Sequence, residues 1–94
     1  MNIFLRPEVR ADLEDATSWY DAQKRGLGGE FLDEVDAVFH RMEKHPLQFP
    51  KYHGDLLRRF PYSVYFLKER RRIVVVGILH QRRSPRSWQQ RLRR

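Results

Sequence analysis

Apolar positions recur along this chain in two periods, and the change from one to the other marks its elements. "NIFL", from Asn2 to Leu5, is a short apolar run closed by Arg6-Pro7 and reads as a strand. Proline is tolerated in the first turn of a helix, and Glu8 suits the positive end of its dipole. Val9, Leu13, Ala16 and Tyr20 then recur at helical spacing with Trp19 flanking them, which predicts a helix over Pro7 to Lys24. "RGLGGEF" breaks that helix, because glycine just past a helix end takes the left-handed capping conformation at little cost. A second helix carries Phe31, Val35, Val38 and Met42 on one face, beside Leu32 and Phe39, with Asp33, Glu34, Asp36 and Arg41 on the other. It stops near Lys44, where Pro46 removes a donor and restricts His45.

The period then drops to two. "PLQFPKYHGD" reads as a loop, with its prolines and glycine, and "LLRRF" (Leu56 to Phe60) and "YSVYFL" (Tyr62 to Leu67) read as strands. "KERRR" is a charged turn. "IVVVGIL", Ile73 to Leu79, is apolar at almost every position, as a strand covered on both faces would be, so it belongs in the middle of a sheet. In the polar tail, Ser84 can cap a short last helix with Pro85 at its first position and Trp88 and Leu92 on one face. The order β-α-α-β-β-β predicts an α+β fold, with an N-terminal strand and an antiparallel two-helix hairpin packed on a small, twisted, mainly antiparallel sheet. The 94 residues suffice for one domain with one core.

Composition narrows the class. With 40% hydrophobic and 33% charged residues the chain is globular. It has no cysteine, so it builds no disulfide framework and no thiolate metal site. "MNIFLRPEVR" is no signal peptide, and no apolar run approaches the roughly 20 residues of a membrane span, so a soluble cytoplasmic protein is expected, with no membrane partner. Charge is divided unevenly. Residues 1–50 hold 6 Lys+Arg against 10 Asp+Glu (net −4), and residues 51–94 hold 13 against 2 (net +11). A bland surface would mix the signs; this asymmetry points to a polyanionic partner, nucleic acid or an acidic protein segment.

The candidate chemistry collects around "ILHQRRSPRSW", Ile78 to Trp88. His80 stands where the central strand leaves the sheet, as a general acid or base for an RNA 2′-hydroxyl or as a strand-end histidine bonded to backbone. Arg82, Arg83 and Arg86 follow it, with guanidinium forks suited to phosphate or carboxylate. Arg58 and Arg59 form a second cluster on a strand of the same sheet. Neighbours on a strand point to opposite faces, so if Leu57 packs inward Arg59 does too, and Arg58 is the outward one. Trp88 can stack on a base or anchor the last helix, and the shared face with Leu92 favours the anchor. Tyr62 can stack or donate a proton, or sit half-buried in the sheet. The four histidines show no zinc spacing and "GLGGE" no phosphate-loop context, so neither metal nor cofactor is expected.

The two-helix start, "LQFPKYHGDLLRRFPYSVYF" and above all "RIVVVGILHQRRSPRSW" together resemble the RelE/ParE superfamily of bacterial toxins, over nearly the whole chain. The resemblance implies a cytoplasmic toxin of a type II toxin–antitoxin system. It implies a cognate antitoxin that wraps the toxin with an extended or helical tail in a toxin–antitoxin hetero-oligomer. RelE-like members cut mRNA in the ribosome, and ParE-like members act on DNA gyrase. The RelE branch carries basic residues on its middle strands, where this chain has His53, Asp55 and Tyr62, a departure that favours the ParE branch. Arg82 and Trp88 can stand at the RelE positions for a late arginine and an aromatic.

Three functions follow from these readings. A gyrase inhibitor would act by contact alone, with Arg58, Arg59, Arg82, Arg83, Arg86 and Trp88 meeting the target or an acidic or amphipathic antitoxin tail. A ribosome-dependent endoribonuclease would use Arg58 and Arg82 against the phosphorane's charge, with His80 or Tyr62 moving a proton. A plain nucleic-acid binder is the third, although no reader motif appears.

Overall fold

A computed structural model describes residues 2–48, 52–82 and 90–91, with residues 52–56 as backbone. The order is strand β1 (Asn2–Leu5), helices α1 (Pro7–Gln23) and α2 (Leu27–Lys44), a 3-10 turn Pro46–Gln48, then strands β2 (Tyr52–Leu56), β3 (Tyr62–Lys68) and β4 (Arg72–His80). These form one four-stranded sheet in the order β1-β4-β3-β2. β1 runs parallel to β4, and the other two pairings are antiparallel. The α+β class, the element order and the central place of the valine-rich strand are as the apolar pattern predicts.

Two expectations are corrected. The glycine segment does not all stand outside the second helix: Gly28 and Gly29 lie in its first turn. Gly26 alone is left-handed, at φ 89°. At Gly28 the helices approach so closely that a Cβ would stand 2.6 Å from the Thr17 carbonyl oxygen, and its N–H donates to Asp21 Oδ1 at 2.8 Å. "LLRRF" is a strand only at Leu56. β2 begins within the segment expected to be a loop and ends at Leu56, while residues 57–60 turn. Leu57 and Phe60 are both buried, and a spacing of three toward one core fits a turn, not a pleated strand. The last helix expected from Ser84 lies outside the described residues, except that Gln90 and Arg91 are helical.

The core lies between the helical hairpin and one sheet face: Val9, Ala16 and Tyr20 of α1, Phe31, Val35, Val38 and Met42 of α2, and Val64, Phe66, Ile73, Val75 and Ile78 of the sheet. The β4 contribution changes parity. Phe66 pairs with Val75 but Tyr65 pairs with Gly77, so Val76 is an extra residue, a β-bulge. A one-residue insertion exchanges the faces of everything after it. Ile73 and Val75 face the helices before the bulge; Ile78 and therefore His80 face them after it. Without the bulge His80 would point away from α1.

Candidate functional site

The site is built where β4 ends against α1. His80 pairs with Tyr62 across the β3–β4 ladder, their rings 5.3 Å apart and edge-on. Tyr62 continues an aromatic row, 6.0 Å from Tyr20 and 5.2 Å from Phe31. Tyr20 lies 5.1 Å from Trp19 and 4.8 Å from Phe60. Trp19 is 57% exposed, although a tryptophan's large apolar surface favours burial. Trp19, Tyr20, Pro61, Tyr62, His80 and Asp15 line an open cavity of about 540 Å³. A smaller recess of about 90 Å³ shares Asp15, Tyr62 and His80 with it and runs inward to Asp12, Ala16, Ile78 and Leu79. Burial and then the neighbouring Tyr62 raise the Tyr20 phenol's pKa above its usual value, so it stays protonated at neutral pH.

The wall of the recess is held by one ion pair. Asp12 Oδ2 accepts from Arg91 Nη1 at 2.6 Å and from the Ile78 N–H at 3.0 Å, and Asp12 Oδ1 accepts from Arg91 Nη2 at 3.2 Å. Arg91 Nη1 also donates to the Val76 carbonyl at 3.2 Å. β1 pairs with β4 only as far as Val75, and Arg6 N–H takes the Val75 carbonyl. Asp12 and Arg91 therefore satisfy the next backbone groups along the open β4 edge with side chains. Gly77 leaves room for this, because a Cβ there would stand 2.7 Å from Arg91 Nη1. Arg6 Nη1 donates to the Arg91 carbonyl, tying the tail to the start of α1.

The predicted site residues separate. His80, Tyr62 and Arg82 come together. The Arg82 N–H donates to His80 Nδ1 at 3.1 Å, so in the neutral ring the proton sits on Nε2, and the free nitrogen is a donor, not a base. Arg58 and Arg59 do not join them. Both are exposed in the 57–60 turn, so the strand alternation expected to separate them does not apply. Arg59 lies over α2: its Nη2 is 3.0 Å from Glu30 Oε1, its Nε 3.7 Å from Glu34 Oε2, and its backbone N–H donates to Glu34 Oε1 at 3.0 Å. Arg58 lines a separate cavity with Glu34, Ala37, Val38, Arg41 and Leu57. Arg83, Arg86 and Trp88 lie outside the described residues. His53 and Asp55 are placed as backbone of β2, at the sheet edge away from β4.

Asp12, Asp15 and Arg91 carry no mark in the apolar pattern, and Trp19 only flanks its α1 stripe. Asp12, Asp15 and Trp19 are spaced three and four apart, one face of a helix, and that spacing was the available signal.

The model of the "ParE toxin of type II toxin-antitoxin system, parDE" family matches residues 3–85. This chain belongs to the ParE toxin family. It is a type II toxin, and its partner is an antitoxin. A solved structure described as the chromosomal ParDE TA system from P. aeruginosa is similar in fold. Its TM-score is 0.73 at 16% identity, over 85% of this chain and 95% of that one. Among curated proteins, none matches the chain. No described helix is long and apolar enough to cross a membrane.

Proposed function

We propose that this ParE family member inhibits DNA gyrase in the cytoplasm, by contact and without chemistry of its own. The family match over residues 3–85 carries this reading. The His80–Arg82 end of the sheet is the contact surface, and a cognate antitoxin with an acidic or amphipathic tail neutralises the toxin by covering it. The net +11 of residues 51–94 supports an acidic tail and fast, salt-sensitive association. His80 Nδ1 is occupied by the Arg82 N–H, which leaves no ring nitrogen free to act as a base. The exposed carboxylate of Asp15 beside it would repel an RNA phosphate.

A second reading, RelE-like mRNA cleavage on the ribosome, is favoured by one observation. The two candidate proton-moving side chains, Tyr62 and His80, stand side by side, ring centroids 5.3 Å apart and edge-on, with Arg82 adjoining. Induced expression without antitoxin separates the two. Intact mRNA with a DNA-damage response is expected. Codon-phased cuts in mRNA, lost in His80→Ala and Arg82→Ala, would favour the second reading.

A further inference from the structure

We infer that the cavity between Trp19 and His80 seats a cationic side chain, an arginine of the antitoxin. The inference rests on the antitoxin part of the proposal above and is independent of gyrase. Its basis is a mismatch of charge within a basic protein. The chain carries a net +7, yet among the described residues this cavity and the recess beside it are lined by no lysine or arginine, but by the carboxylates of Asp12 and Asp15 and the rings of Trp19, Tyr20, Tyr62 and His80. Trp19, Tyr20 and Tyr62 supply aromatic surface, and Asp15 stands four residues before Trp19, on the same helical face. The other carboxylate, Asp12, already holds Arg91 through both oxygens. No described residue pairs with Asp15.

Aromatic faces attract cations through their negative quadrupole, and a planar guanidinium can stack on them while its N–H groups fork onto a carboxylate. The two spaces, which share Asp15, Tyr62 and His80, fit the two parts of such a side chain. The wider, more apolar one takes the aliphatic stem and stacked head; the narrow one places the outer nitrogens at Asp15. A phosphate or carboxylate entering the same place would meet Asp15 with like charge. Arginine set in an aromatic pocket is a common energetic anchor of protein interfaces. An antitoxin whose tail is largely acidic would gain register from one such basic anchor, since it matches a carboxylate set beside the basic His80–Arg82 end.

The test is a titration of the full chain, isotope-labelled, with N-acetyl-arginine amide, N-acetyl-citrulline amide and inorganic phosphate, reading the Trp19 indole N–H by NMR. The expected result is a saturable shift with the arginine probe. Binding should be at least tenfold weaker with citrulline, its neutral near-isostere, and at least tenfold weaker in Asp15→Asn. Retention of the wild-type melting temperature by Asp15→Asn would show that the fold is intact. The purified toxin–antitoxin complex should take no arginine probe at this signal. Equal response to arginine and citrulline, or response to phosphate in place of arginine, would overturn the cation seat. A complex that still binds the probe there would overturn the antitoxin as its occupant. Failure to inhibit gyrase would leave each of these outcomes readable.

Discussion

Two arginine-bearing turns of this toxin look alike as sequence and differ in what they face. At residues 57–60, Arg59 lies against Glu30 and Glu34 of α2, so its charge is answered within the molecule. At residues 80–82, Arg82 is exposed, its N–H turned onto His80, beside a cavity walled by Trp19 and Tyr62. The first turn fastens a helix to the sheet; the second borders an open surface. Local charge density alone does not distinguish the roles. The acidic face of α2 does, by holding Arg59 against Glu30 and Glu34.

Phe31 underlies both turns, 5.3 Å from Phe60 and 5.2 Å from Tyr62, and is fully buried. Phe31→Ala should cost about 3–5 kcal/mol of unfolding free energy and loosen both regions together, as denaturant melts would show. Asp12→Ala acts on the His80 side alone. It leaves the Ile78 N–H and a mostly buried Arg91 without their carboxylate, and should cost about 1–3 kcal/mol, with faster amide exchange at Ile78 than at Leu57. Arg59→Ala removes a half-exposed pair and should cost at most about 1 kcal/mol, reduced further by salt, with growth inhibition unchanged. Arg82→Ala should give the smallest change in stability, within about 0.5 kcal/mol, yet lower growth inhibition at least tenfold. If Arg59→Ala and Arg82→Ala weakened the toxin equally, the two turns would share one surface and the contrast would fail.

The two regions were also unequally legible in the sequence. The helices could be read from Val9–Leu13–Ala16–Tyr20 and Phe31–Val35–Val38–Met42, and the central strand from its unbroken apolar run. That same run concealed the bulge. Where every position is apolar, alternation gives no parity, and only Gly77 hinted that the strand's regular register breaks. The side of the sheet that His80 faces therefore came from pairing with β3, not from pattern. The 57–60 turn misled for the opposite reason. Leu57 and Phe60 read as strand residues until the core showed both buried three apart. Asp12 and Arg91 are 79 residues apart, a pairing that local periodicity does not reach.

The most direct measurement of the central claim is gyrase supercoiling in vitro with purified toxin, comparing wild type, Arg59→Ala and Arg82→Ala. Inhibition by wild type and Arg59→Ala, lost in Arg82→Ala and reversed by the antitoxin, is the predicted result. Unimpaired supercoiling with all three proteins, alongside codon-phased mRNA cleavage by the wild type on ribosomes, would contradict it.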